Sequence, residues 1–168
     1  MYNRGLFQIK VERSGVNTML LDEEYMLKAL SLAEKALSLG EAPIGAIIVD
    51  ENGEIIAQAY NRREELNSPI AHAEITAIEK AADFLKNRRL DTCTMYVTLE
   101  PCLMCAGAIM QAQLKRIVYG AFAEKTGALA SVTNVYDFPF GYKPMVRSGI
   151  LSDESAALLN LFGDSLRI

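Results

Sequence analysis

Two short stretches concentrate the side chains that bind metals and move protons. His72, the single histidine, stands two residues before Glu74 at the head of a predicted helix. Thirty residues on, Pro101-Cys102-Leu103-Met104-Cys105 opens another helix directly after a predicted strand. The i, i+3 spacing sets both sulfurs on one helix face. Thiolates at a helix N-terminus ionise readily, so they suit zinc at neutral pH. His72, Cys102 and Cys105 therefore make three ligands. A structural zinc site closes its fourth position with protein, whereas a catalytic one leaves it to water. The remaining cysteine, Cys93, precedes a strand at the end away from Cys102, so the pattern predicts one catalytic zinc per chain. Zinc lowers the pKa of a bound water to roughly 7, but a hydrolytic reaction also needs a proton carrier. Glu74, beside His72 and not required as a ligand, fits that role. Positions two apart on an ideal helix point about 200° apart, so the pair converges only if His72 lies in the first, irregular turn. The plainer readings are a structural zinc site or buried thiols, with Glu74 a solvated carboxylate at a helix start.

These residues need a scaffold. At 168 residues and 51% hydrophobic content, one substantial core and one compact domain are expected. No apolar run approaches the roughly 20 residues of a membrane helix. The N-terminus mixes Arg4, Lys10, Glu12 and Arg13 rather than carrying an export signal, so a cytoplasmic protein is expected. Three cysteines, two of them beside a proline, suggest metal chemistry rather than disulfides. A formal charge of −4 means that RNA binding would depend on a local basic patch. Residues 1–20 read as a variable extension, and 21–168 as the single domain.

An acidic first turn at Asp22-Glu23-Glu24, then Met26, Leu30, Ala33 and Leu37, describe an amphipathic helix ending at Gly40. Ile44–Val49 and Glu54–Tyr60, joined through Asn52-Gly53, form a hairpin. A helix runs from near Ala71, and Thr94–Leu99 is a strand. Cys102 to about Ala112 is a helix, apolar nearly all round and so expected to be buried. Arg116–Tyr119 is another strand; joined to Thr94–Leu99 through one helix, it should lie parallel to it, making the sheet mixed. A last helix is expected with Ser152 as N-cap and a stop at Gly163. The aromatic run Tyr136, Phe138, Phe140 and Tyr142 is read as core or dimer cover, with base stacking as the alternative. Arg88-Arg89 and Lys115-Arg116 are read as solvated pairs that could touch phosphates.

The His-x-Glu and Pro-Cys-x-x-Cys pattern is the known signature of zinc nucleobase deaminases. Together with Asn61-Arg62, Ala71–Glu74, Tyr96–Ala108, Lys125–Ala128 and Gly149–Leu159, it resembles the bacterial tRNA adenosine deaminases of the TadA type, over about residues 20 to 162. The resemblance implies an α/β protein with the three-layer α/β/α cytidine deaminase-like fold and a mixed, mainly five-stranded sheet. It implies a homodimer that hydrolytically converts adenosine to inosine at the wobble position of a tRNA anticodon stem-loop. It also implies that Asn61 contacts the target nucleotide, and that Ile44 and the loop before His72, including Ala71, line the base pocket. The chain departs from the family at Ala123, where an acidic residue is usual, at Tyr136–Lys143, and in a weakly basic tail, Gly163–Arg167. Those departures keep a second reading open, a deaminase of a free nucleobase or nucleoside such as guanine, cytosine or cytidine. A third is a non-catalytic zinc-containing subunit that binds RNA or protein.

Overall fold

The computed structural model describes residues 18–165. Its elements are α1 (Thr18–Ser38), β1 (Gly45–Val49), β2 (Ile55–Tyr60), α2 (Ala73–Leu85), β3 (Thr94–Leu99), α3 (Leu103–Gln111), β4 (Arg116–Ala121), a 3₁₀ turn (Val135–Asp137), β5 (Met145–Arg147) and α4 (Ser152–Ser165). The strands form one sheet in the order β2-β1-β3-β4-β5. β1 is antiparallel to β2 and β3, while β3–β4 and β4–β5 are parallel. The mixed five-stranded sheet expected from the hairpin and the crossover is therefore the one observed.

Alternation along the central strands builds the layers. Ala46, Ile48, Met95, Val97, Ile117 and Tyr119 face one way and pack with Ala73, Ala77 and Ala81 of α2 and Ala106 and Ile109 of α3. Ile47, Val49, Tyr96 and Val118 face the other way, onto Met26, Ala29 and Leu30 of α1, with Leu158 of α4 beside them. With both faces covered, β1 is buried at all five positions, which is why it reads as a continuous apolar run. Cys93 is fully buried in the first of these cores, and burial pushes its thiol pKa up.

Helix α1 comes so close to the start of β1 that only glycine fits at position 45. A Cβ there would lie 2.0 Å from the Ala29 carbonyl oxygen and 2.7 Å from the Ala33 nitrogen. Gly45→Ala is expected to lower the unfolding free energy by about 2 kcal/mol, since overpacking a tight core forces backbone shifts. Urea denaturation would read the loss, and an unchanged midpoint would mean that α1 can retreat without cost.

Several boundaries differ from the sequence reading. The extension expected over 1–20 lies outside the described residues except for Thr18, Met19 and Leu20, which are helical. Asp22 thus falls beyond the first turn of α1 and is buried. Helix α3 is not buried all round: Ala106 and Ile109 face the core, while Leu103 is 62% and Met104 36% exposed. Ser152 is the first helical residue of α4 rather than its cap, and Gly163 continues that helix instead of ending it. Glycine lowers helix propensity by only about 1 kcal/mol, which neighbouring turns can absorb.

Candidate active site

Both halves of the predicted ligand set sit at helix starts. His72 is the N-cap of α2, with φ −74° and ψ 151°, so it stands outside the helical register. That extended backbone removes the 200° divergence and lets the imidazole face the same space as Glu74, which lies in the first turn and is only 3% exposed. Cys102 is likewise the N-cap of α3, with φ −72° and ψ 173°, and Cys105 follows one turn later, fully buried. The βα junctions that precede α2 and α3 thereby aim two helix N-termini at one point, favouring thiolate there.

The His72 Nδ1 lies 3.8 Å from Cys102 Sγ and 3.5 Å from Cys105 Sγ, and all three ligand atoms fall within 4.8 Å of one another. Zinc–sulfur and zinc–nitrogen bonds at tetrahedral angles separate a sulfur from a nitrogen by about 3.6 Å, so the donor set has the right chemistry and spacing for zinc. Protonation follows the same logic. A hydrogen bond from Cys105 holds the Cys102 thiol down to about 3, against the penalty of burial, and the bond to Cys102 pushes Cys105 up. The hydrogen bond to Cys102 raises the His72 pKa. A bound cation would displace any proton left on the two sulfurs. Glu74 is pushed up by burial, and its Oε2 is the buried side-chain oxygen that has no hydrogen-bond partner among the described residues. A buried orphan acceptor beside three metal donors marks where a polar ligand belongs.

The base-pocket residues implied by the family resemblance also come together. Asn61 N–H donates to the Ile44 carbonyl at 3.0 Å, and Arg62 N–H donates to the Ala71 carbonyl at 3.1 Å. Asn61 is buried rather than a solvated strand-end turn residue, and its Nδ2 donates to Glu41 Oε2 at 3.0 Å. A cavity of about 480 Å³ is lined by Gly40, Glu41, Ala42, Asn61, Arg63, Glu64 and Phe162, and by none of Ile44, Ala71, His72, Glu74, Cys102 and Cys105. A larger groove of about 630 Å³ runs between α4 and the loop after β4, past Phe122, Ala123 and Lys125, and none of His72, Glu74, Cys102 and Cys105 lines it.

Two buried carboxylates went unnoticed in the sequence reading. Glu41 is one. The other, Glu100, immediately precedes Pro101-Cys102 and gathers the loop after β4. It accepts the backbone N–H groups of Ala123, Leu129, Ala130 and Ser131 at 2.7–3.1 Å and the Ser131 hydroxyl. Burial would raise its pKa, but these donors outweigh that and hold it low. The Ala128 N–H to the Pro101 carbonyl, at 2.9 Å, and the bridge between Cys102 and Gly127 seat the same loop against the ligand segment. An acid at the exit of an apolar strand was the available signal.

Other candidates separate. Tyr136 is buried, with its hydroxyl donating to the Ala106 carbonyl at 3.3 Å, whereas Phe138 and Phe140 are exposed, with ring centroids 5.9 Å apart. Arg116 does not offer itself to a phosphate, because it is paired with Asp22. Arg88, Arg89 and Lys115 are exposed, and Arg167 of the tail lies outside the described residues.

Comparison with known proteins agrees with this geometry. The profile of the cytidine and deoxycytidylate deaminase zinc-binding region matches residues 19–121. The tRNA-specific adenosine deaminase of Bacillus subtilis is 44% identical over 150 residues, which are 89% of this chain and 92% of that protein. A structure solved in work on A-to-I editing by tRNA:A34 deaminases at the wobble position of transfer RNA superposes with a TM-score of 0.78. It shares 43% identity, covering 81% of this chain and 99% of that one. A guanine deaminase from Nitrosomonas europaea shares the fold at a TM-score of 0.75 with 25% identity, covering 84% of each chain.

Proposed function

The chain belongs to the zinc-binding cytidine and deoxycytidylate deaminase family, alongside the tRNA-specific adenosine deaminases, and on that premise we propose that it converts adenosine to inosine at the wobble position of a tRNA anticodon. The observation that carries the chemistry is the buried, unpartnered Glu74 Oε2 beside three convergent metal donors. The likeness to tRNA deaminases, which runs nearly the length of both chains, supports the substrate.

His72, Cys102 and Cys105 would hold the zinc, which when bound lowers the pKa of water to about 7 and so furnishes hydroxide at neutral pH. Glu74 takes the proton of the attacking water, delivers it to the adenine ring nitrogen N1, and returns a proton to the departing amine. A C–O bond forms at C6, the exocyclic C–N bond breaks, and one water is exchanged for one ammonia, which leaves Glu74 in its starting state. The target base must leave the anticodon-loop stack to reach this buried group. Ile44, Asn61 and Ala71 would receive it, and local cations such as Arg63 would meet phosphates despite the net charge of −4. The exposed Leu103 and Met104 on α3 favour a homodimer that covers them. No helix among the described residues is long and apolar enough to cross a membrane, consistent with action beside cytoplasmic tRNA.

Zinc-loaded protein is expected to form inosine in an adenosine-containing anticodon stem-loop and to leave free adenosine, guanine, cytosine and cytidine unchanged, read as ammonia release. Turnover of a free base with the RNA untouched would instead assign it to small-molecule deamination, the reading that its likeness to a guanine deaminase favours. Intact zinc with no deamination of any of them would leave a non-catalytic binding subunit.

A further inference from the structure

We propose that Glu41 fixes which pole of the Asn61 carboxamide faces the pocket, making it a positioning residue for base recognition; the inference rests on the reading of Asn61 as a substrate contact. Glu41 lies between α1 and β1 and is 1% exposed. Each of its carboxylate oxygens meets one donor. Oε1 accepts the Glu65 backbone N–H at 2.8 Å, and Oε2 accepts Asn61 Nδ2 at 3.0 Å. With both Glu41 oxygens accepting, Asn61 turns its NH₂ toward Glu41 and its Oδ1 away. Asn61 is itself 2% exposed, and the bond to Glu41 fixes its Nδ2 end. Both residues line the cavity of about 480 Å³. A substrate that Asn61 contacts therefore meets a fixed acceptor, and the matching group on it is a hydrogen-bond donor, an N–H or O–H. A carboxamide free to rotate would accept either polarity; Glu41 removes that freedom.

A simple loop anchor would need only the bond to Glu65, which a glutamine could accept equally well. The discriminating variant is therefore E41Q. The Glu65 N–H is backbone and cannot reverse, so the introduced glutamine keeps its oxygen there and turns its NH₂ toward Asn61. Asn61 must then flip, presenting Oδ1 to the glutamine and NH₂ to the pocket. Opposing a donor to a donor should lower kcat/KM by about ten- to a hundredfold with zinc content unchanged. In E41Q/N61D the introduced aspartate accepts from the glutamine with one oxygen and offers the other to the pocket, so most of the lost kcat/KM should return. N61D alone apposes two carboxylates; should it fail to fold, E41Q and the double variant still decide the matter.

A second readout does not depend on the substrate. In ¹⁵N-labelled, zinc-loaded protein, the Asn61 side-chain NH₂, identified by its disappearance in E41Q/N61D, is expected to exchange with solvent slowly. In E41Q it should exchange at least about tenfold faster, because it now faces the cavity. Unchanged exchange in E41Q would overturn the positioning role whatever the substrate is, and so would a double variant no better than E41Q. Faster exchange with unchanged kcat/KM would leave Glu41 orienting the amide but overturn Asn61 as a substrate contact.

Discussion

Glu74→Gln protein is expected to keep one zinc per chain and to lose at least about a hundredfold in kcat. The ligand atoms belong to His72, Cys102 and Cys105, and the substitution changes none of them. A glutamine has nearly the same shape, so it fills the same buried space beside the metal donors. What it cannot do is accept a proton from water and give it up again within one cycle. Positioned acid–base groups contribute about 10²–10⁴ in rate, and here a single group serves both the attack and the departure of ammonia. The burial of Glu74 also predicts a second effect of opposite sign. Burial penalises the charged form of Glu74, a cost that the neutral amide does not carry, so the unliganded variant should unfold no earlier than the parent. Zinc content by atomic absorption, single-turnover rates on the stem-loop and thermal unfolding together separate the possibilities. An unchanged rate would remove Glu74 from proton transfer, whereas loss of zinc would give it a role in shaping the ligand set.

The chemistry was legible in the sequence because its parts are local. The spacing from Cys102 to Cys105 is a property of one helix turn, and the expectation that His72 lies in a first, irregular turn comes within one residue of its place as the extended N-cap. The central strands were legible for a related reason: burial on both faces turns β1, β3 and β4 into apolar runs bounded by polar turns. β5 carried no such signal. It is three residues long, Met145 and Val146 stay exposed, and it exists because β4 offers a free edge to pair with, a property of the assembled sheet. The buried acids were opaque for the same reason. Glu41, Glu100 and Asp22 look like ordinary surface carboxylates in sequence, since the groups that satisfy them lie 20–24, 23–31 and 74–125 residues away. The two near the site accept backbone N–H groups, which any residue supplies, so no residue type announces the partner.

Asp22 shows how much such a residue can carry, and Asp22→Ala is expected to cost about 3–4 kcal/mol of stability. Its Oδ1 accepts Tyr96 Oη at 2.9 Å and Arg116 Nη1 at 2.8 Å, while Oδ2 accepts Arg116 Nη2 at 2.6 Å and Arg147 Nη1 at 3.0 Å. Those partners, Tyr96, Arg116 and Arg147, stand on β3, β4 and β5, so one carboxylate on α1 clasps three parallel strands. Removing one partner of a buried pair costs about 3–5 kcal/mol, and the lower part of that range applies because Arg116 and Arg147 keep some contact with water. The pH dependence follows from the same contacts. Burial alone would raise the Asp22 pKa, but the hydrogen bonds from Arg116 and Tyr96 outweigh it, leaving the folded value below the ordinary 3.8. A depressed folded pKa contributes stability that is complete above the unfolded value and is lost as pH falls through the folded one. Urea unfolding of the parent should therefore weaken below about pH 4, and Asp22→Asn should unfold more easily at pH 7 yet lose less on acidification. Acid also protonates the metal donors, so the decisive quantity is the difference between the two slopes with zinc removed from both. Equal slopes would mean that the clasp is held by the geometry of its hydrogen bonds and not by the charge on Asp22.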